Sequence, residues 1–215
     1  MRSDRGLDRF ITFLDAVVAI AVTLLVLPLT EVIAGTHPPA HVADVFTQNA
    51  GRFWAFLISF VVISRFWLAH HRMTERVGAY DTAFIAVNLG WALTVVFLPF
   101  ATQLTSAYPT SDRLAIAVYL GTLALSSVFL LAAAALVWRR PALRREGISV
   151  ADAVPAAALA TSAVLLSALV IGVVFTRINY FALLLLFLSG PVERLLRRVS
   201  HGSSRRRSQR PSGSA

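Results

Sequence analysis

The sequence predicts an all-α membrane protein with six transmembrane helices per subunit. Hydrophobic residues fill 57% of the 215 positions and charged residues only 14%, whereas a soluble domain carries about 25% charged residues. Six apolar windows of roughly 20 residues, the length an α-helix needs to cross the hydrocarbon of a bilayer, lie near 10–34, 53–71, 82–106, 113–138, 150–175 and 178–195. An even number of spans places both termini on the same side of the membrane.

The chain is expected to form one membrane domain, residues 1–198, followed by a basic disordered tail, residues 199–215. The tail contains four arginines among Ser, Gly and Pro, a composition that determines topology or contacts anionic lipid. A net charge of +9 could suit nucleic acid, but this charge lies at a membrane surface, so we expect no nucleic-acid partner. With no cysteine, no spaced metal ligands and no soluble catalytic domain, the sequence predicts neither an enzyme nor a cofactor.

The first span, from Phe10 to Ala34, is too long for the core of a signal peptide and is expected to be retained. It contains a carboxylate, Asp15, and ionisable groups inside membranes are costly and usually functional. Thr23 is a mid-membrane hydroxyl that either bonds back to the carbonyl of Ala19 or offers its oxygen to a passing ion. Pro28 removes a helical hydrogen bond and is expected to bend the outer third of this span.

One face of the first span is apolar. At 100° per residue, Ile20, Leu24 and Leu27 fall within about 60° of one another, and Phe13 extends this face toward one end. Asp15 lies roughly 140° from Ile20 on the same helical wheel. If the apolar face lines an opening, Asp15 therefore points away from it, toward the other helices.

The second and third spans place polar residues at the depth of Asp15. The second span ends with His70 and His71, and the third begins with Asp81 and contains Asn88. A structural network that fixes the first span is the favoured interpretation of this layer. Titration of the two histidines near neutral pH is another. A metal site is disfavoured, because adjacent histidines on a helix diverge by about 100° and no third ligand is evident.

The remaining spans are predicted from hydropathy, and the arginines orient all six. Sixteen of the 20 arginines lie on the side of the termini, three (Arg52, Arg113 and Arg177) lie opposite, and Arg65 lies within the second span. The positive-inside rule then predicts that both termini are cytoplasmic. Only Thr176 and Arg177 separate the last two apolar windows, but fusing them would move the basic tail to the outer side.

Three motifs follow one another on the first three spans. The second-span motif is Trp67-Leu-Ala-His-His-Arg72, and the third span contains Asn88-Leu and, at 97–102, Phe-Leu-Pro-Phe-Ala-Thr. The first-span motif is Arg9, Phe13, Leu14, Asp15, Ala19, Ile20, Thr23, Leu24 and Leu25. In this order the motifs resemble the transmembrane protein 175 family of potassium channels, whose first-span signature is Arg, three residues, Phe-Ser-Asp, then Ala-Ile and Thr-Leu-Leu.

The resemblance implies a homotetrameric channel in the plasma membrane of a prokaryote, with the first span of each subunit lining a pore at the axis. Its partners are then potassium and other monovalent cations, further copies of the chain, and the bilayer. By position, the hydrophobic constriction comprises Ile20, Leu24 and Leu27, with Thr23 beside it. The network that anchors the first span comprises Arg9, Phe13, Asp15, His70, His71 and Asn88. The sequence has no Thr-Val-Gly-Tyr-Gly loop, so a re-entrant carbonyl filter is not expected.

The chain departs from the family signature at Leu14, which replaces the serine of Phe-Ser-Asp. This change removes one hydrogen-bonding member of the anchoring network. The main alternative function is a proton-coupled secondary transporter that uses Asp15 and the histidine pair His70 and His71. Transporters usually place such an acid near the midplane, whereas Asp15 is predicted to lie shallowly. Proton permeation through the channel itself is a milder form of the same idea.

Overall fold

The computed structural model describes residues 4–34, 41–109 and 112–147. These residues form six α-helices and one 3₁₀ turn (Pro141–Leu143), without a β-strand. The helices are α1 (Asp4–Leu24), α2 (Leu27–Ala34), α3 (Val42–Gln48), α4 (Ala50–Thr74), α5 (Thr82–Ala107) and α6 (Arg113–Arg139). The predicted all-helical class is confirmed for this part of the chain.

Four stretches are long and apolar enough to cross a membrane: Arg5–Ala34, Ala50–Thr74, Thr82–Ala107 and Arg113–Arg139. They coincide with the first four predicted spans, so the chain is a multi-pass membrane protein. The fifth and sixth predicted spans and the basic tail lie outside the described residues.

The first span is interrupted between α1 and α2. The N–H groups of Leu25 and Val26 donate to carbonyls three residues earlier, those of Val22 and Thr23, at 3.3 Å each. Pro28 has no N–H to donate, and its ring excludes the carbonyl four residues before it. The bend expected from this proline therefore takes the form of a break between the two helices.

The core lies between α1, α4, α5 and α6, and α5 and α6 form the most extensive helix pair. Because lipid tails are as apolar as leucine, close packing rather than water exclusion must hold such helices together. Gly90 shows this in α5, since a Cβ there would lie 2.5 Å from the ring of Phe129 on α6. The largest fully buried side chains include Trp91, Phe84, Leu14, Ile63, Leu98, Leu120 and Leu123.

Two loops, residues 75–81 and 140–145, are joined at the end of the bundle where α1 begins. The backbone N–H of Gly78 donates to the carbonyl of Leu143 at 2.9 Å, and the N–H of Arg145 donates back to the first loop at 2.9 Å. We call this pair of loops the clasp. It ties the connection between α4 and α5 to the segment that follows α6.

Asp81 ends the first loop of the clasp and caps α5. Its carboxylate accepts the Phe84 N–H at 2.8 Å and pairs with the guanidinium of Arg140. The pKa of Asp81 is lowered, chiefly because the Phe84 N–H stabilises the charged form; Arg140 acts in the same direction and partial desolvation opposes both. Since the folded-state pKa is lowered, this contribution to stability is present above the usual aspartate pKa of about 3.9 and is lost as the pH falls below it.

Replacement of Gly78 by alanine is expected to open the clasp. A Cβ at this position would lie 2.9 Å from the Cα of Arg145 and 3.2 Å from the carbonyl oxygen of Arg144, and backbone atoms cannot move aside as a flexible side chain can. We expect a loss of about 1–3 kcal/mol in the free energy of unfolding, measured by thermal unfolding in detergent. Gly51→Ala is the control, because a Cβ on Gly51 meets nothing within 4 Å. Equal melting temperatures for the two variants would contradict the prediction.

Candidate functional site: the exposed face of the first span

The apolar face predicted for the first span is exposed. Ile20 is 59% exposed, Leu24 38% and Leu27 50%. Thr23 is exposed on the same side, and its hydroxyl donates to the carbonyl of Ile20 at 2.8 Å. The back-bond expected for this threonine is therefore present, but it ends on Ile20 rather than on Ala19. The hydroxyl oxygen keeps its capacity to accept from the open side.

The other side of α1 packs against the bundle. Its buried residues recur at intervals of three, four and seven, as expected for one face of a helix. Leu14 is completely buried, and the other members of this row are Leu7, Val18, Ala21 and Leu25. The first span is thus attached by one row of side chains and is the least buried of the four spans.

Asp15 lies at the border between these two sides and is directed toward α4. Its Oδ1 accepts the indole N–H of Trp67 at 2.9 Å. The Trp67 ring stacks on His71 with the ring centroids 5.4 Å apart, and His71 Nε2 lies 3.7 Å from a carboxylate oxygen of Glu75. The hydrogen bond between Trp67 and Asp15 joins α1 to α4 and restricts the rotation of one helix against the other.

His70 and Asn88 form a second contact, buried between α4 and α5. The Asn88 amide nitrogen donates to the carbonyl of Phe84 at 2.8 Å, so its oxygen faces His70 Nε2 at 2.9 Å. That geometry requires Nε2 to carry the hydrogen. The imidazole also lies flat on the indole of Trp91, with centroids 4.1 Å apart and an interplanar angle of 3°.

The structure brings together four of the six residues predicted to anchor the first span. Asp15 and His71 meet through Trp67, and the adjacent His70 meets Asn88. Arg9 and Phe13 are not part of this arrangement. Both side chains are exposed on α1, Phe13 by 52%, and within the described ranges Arg9 forms no hydrogen bond or ion pair.

Comparison with known proteins identifies the same region of the chain. Residues 9–99 match a family model described as the endosomal/lysosomal potassium channel TMEM175. A potassium channel of Chamaesiphon minutus is 35% identical over 127 residues, which are 56% of this chain and 61% of the relative. The human endosomal/lysosomal proton channel TMEM175 is 30% identical over 104 residues, 47% of this chain and 20% of the human protein. The resemblance to the TMEM175 family is confirmed.

The likeness to TMEM175 extends to the fold. The crystal structure of a lysosomal potassium-selective channel TMEM175 homologue from Chamaesiphon minutus matches with a TM-score of 0.69 at 24% identity, covering 90% of this chain and 99% of that one. The chain spans 61% of the length of the Chamaesiphon relative and a fifth of the human one. All the site residues predicted from sequence lie within the stretch that matches the TMEM175 family model.

A polar cluster that the sequence analysis missed joins α4, α5 and α6. The Thr102 hydroxyl donates to Ser59 Oγ at 2.8 Å, and Ser59 Oγ lies 3.1 Å from the hydroxyl of Tyr119. All three side chains are buried. Thr102 closes the Phe-Leu-Pro-Phe-Ala-Thr motif, which was a signal for it, but nothing in the local pattern marks Ser59 or Tyr119 as its partners.

Replacement of Asn88 by leucine is expected to destabilise the bundle by about 1–3 kcal/mol, because it leaves the buried Nε2–H of His70 without an acceptor. Thermal unfolding of the purified protein in detergent measures the effect. Gln103→Leu is the matched control, since Gln103 is exposed on the same helix. An Asn88→Leu variant as stable as the control would show that the contact between His70 and Asn88 contributes nothing to stability.

Proposed function

We propose that this chain is the subunit of a homotetrameric, potassium-favouring cation channel whose pore is lined by α1 and α2. The observation that carries the proposal is the attachment of the first span by one side only. Ile20, Leu24 and Leu27 stay exposed while Leu14, on the other side, is fully buried. Four copies arranged with these exposed faces toward a common axis form a narrow apolar constriction.

Conduction through such a constriction needs no covalent chemistry and no carbonyl cage. Ions move down their gradient, and passage costs the part of the hydration shell that the pore radius removes. Potassium holds its water less tightly than the smaller sodium ion, so a narrow apolar ring favours potassium modestly. The relatives are named as channels, among them the potassium channel of Chamaesiphon minutus, which supports passive flux.

The contacts at the start of the span act as the anchor in this proposal. The hydrogen bond of Trp67 to Asp15 and the pairing of His70 with Asn88 hold α1 and α5 against α4. In this proposal Asp15 holds α1 against α4 and does not bind the permeating ion. The excess of arginine on the terminal side supports cytoplasmic termini. The resemblance to a potassium channel of Chamaesiphon minutus supports a prokaryotic plasma membrane.

Proton conduction is the second candidate function. It is favoured by the human relative, which is named a proton channel. The proton-coupled transporter is a different alternative, and it requires Asp15 to exchange protons with a passing solute. In the structure the Asp15 carboxylate oxygen already accepts the indole N–H of Trp67, which disfavours that exchange. Loss of solute-dependent proton movement in Asp15→Asn would favour the transporter.

Flux into liposomes tests the proposed function. Purified full-length protein is reconstituted into liposomes with a potassium gradient, and uptake of rubidium and caesium is measured. A pH-sensitive dye inside the liposomes measures proton flux in the same assay. We expect electrogenic cation uptake that exceeds sodium uptake, and native mass spectrometry that shows four copies. Liposomes that move none of these cations would overturn the channel, and proton flux without cation flux would replace it with the second candidate.

A further inference from the structure

A cavity of about 420 Å³ lies beside the clasp, at the end of α6 and the start of α5. Its wall includes Tyr80, Asp81, Arg139, Arg140 and Leu143. None of Ile20, Leu24 and Leu27 lines the cavity, and nothing in the proposed channel function uses it. It combines a charged rim with apolar surface from the 3₁₀ turn.

One arginine at the cavity has no acidic partner among the described residues. Asp81 is occupied twice, by the N–H of Phe84 and by Arg140, so the carboxylate and the Arg140 guanidinium neutralise one another. Arg139 is exposed, and among the described residues no acidic group pairs with it. A net positive charge therefore faces the cavity.

A tryptophan beside the cavity indicates that the cavity lies at the level of the lipid headgroups. Trp138 immediately precedes the cavity arginines at the end of α6 and is 39% exposed. Tryptophan with one face open is typical of the headgroup region, where an amphipathic ring is best placed. The carbonyl of Trp138 also accepts Nη2 of Arg144 at 3.2 Å, which ties the clasp to the helix end.

We propose that this cavity binds the phosphate headgroup of an anionic membrane lipid, with Arg139 contacting the phosphate. A guanidinium presents two parallel N–H donors that match phosphate oxygens. Pro141 and Ala142, both exposed on the cavity wall, supply apolar surface for the glycerol and the first carbons of the acyl chains. Backbone hydrogen bonds hold the clasp, which forms one wall of the cavity, so the main ordering cost of binding is that of the Arg139 side chain.

Lipid binding to the full-length protein tests the proposal without any ion-flux readout. Native mass spectrometry in a mild detergent counts bound dioctanoyl phosphatidylglycerol against dioctanoyl phosphatidylcholine. We expect the wild type to prefer phosphatidylglycerol and Arg139→Gln to weaken that binding about fivefold, the effect of one surface arginine. Arg72→Gln is the matched control, because Arg72 is an exposed arginine on α4 that does not line the cavity, and its affinity should match the wild type.

Three outcomes would overturn the proposal. The first is equal binding of the two lipids by the wild type. The second is an Arg139→Gln variant that binds phosphatidylglycerol as well as Arg72→Gln does. The third is full displacement of the lipid by an equal concentration of glycerol phosphate, which would assign the site to a free phosphate compound. Weaker phosphatidylglycerol binding by an Arg139→Gln variant whose circular dichroism matches that of the wild type would support the proposal, since misfolding is then excluded.

Discussion

Replacement of Leu24 by asparagine is expected to raise cation flux about tenfold and to reduce the preference for potassium over sodium. The amide oxygen can coordinate a cation, and the amide can hydrogen-bond its hydration water, where the wild type offers only hydrocarbon. Lowering a barrier by about 1.4 kcal/mol multiplies a rate by ten. Liposome flux assays with potassium and with sodium measure both effects. Leu24 is 38% exposed in the subunit, so the change should not unfold it.

The control for this prediction is an equally exposed leucine on another helix. Leu125 on α6 is 49% exposed, and Leu125→Asn should leave both the rate and the selectivity close to wild type. Corresponding changes at Ile20 and Leu27 should resemble Leu24→Asn. Unaltered flux in all three first-span variants would remove the constriction from this face.

Truncation of Leu14 to alanine is expected to lower the free energy of unfolding by about 3–4 kcal/mol. Leu14 is completely buried against the bundle, and neighbouring side chains cannot fill the space it leaves. Lipid can occupy the room left at an exposed position but not at this one. Chemical denaturation of the protein in detergent or bicelles measures the loss.

Leu89→Ala is the control for the truncation, since Leu89 on α5 is 44% exposed and should lose less than about 1 kcal/mol. Leu14→Ser, which reinstates the residue of the family signature, should be at least as destabilising as Leu14→Ala because it also buries a hydroxyl. A Leu14→Ala variant as stable as Leu89→Ala would show that this contact does not fasten the first span.

The helical faces of the first span could be predicted from sequence because they depend only on periodicity. A constant 100° per residue separates Ile20 and Leu24 from Asp15 whatever the helix packs against. The break near Pro28 was predictable for the same kind of reason, because proline acts on its own helix. The depth of the polar layer followed from span boundaries alone.

Other features depend on how separate helices meet, and periodicity does not determine that. Trp67 begins the second-span motif, yet nothing in that motif indicates that its indole N–H donates to Asp15, 52 residues away. The cluster around Ser59 needs three helices in register. The clasp is held by backbone groups, which every residue carries, so no side-chain pattern predicts it. Only Gly78 indicates that the backbone of the second loop passes close to the first.

Leu14 replaces the serine of the family signature, and its packing gives this change a different meaning from the one expected from sequence. As a sequence feature it was a lost hydrogen bond in the anchoring network. In the structure it occupies the buried row of α1, while Asp15 obtains its hydrogen bond from Trp67. The anchor of this chain therefore combines one hydrogen bond with apolar packing at the adjacent position.

Block by cadmium of a single-cysteine variant tests the central claim most directly. The chain contains no cysteine, so Leu24→Cys places one thiol on each subunit, and soft thiolate ligands bind a cation such as Cd²⁺ tightly. If four first spans surround the pore, cadmium should abolish potassium flux through Leu24→Cys and spare both the wild type and Leu125→Cys. Undiminished flux through Leu24→Cys, or equal block of Leu125→Cys, would contradict a pore lined by α1.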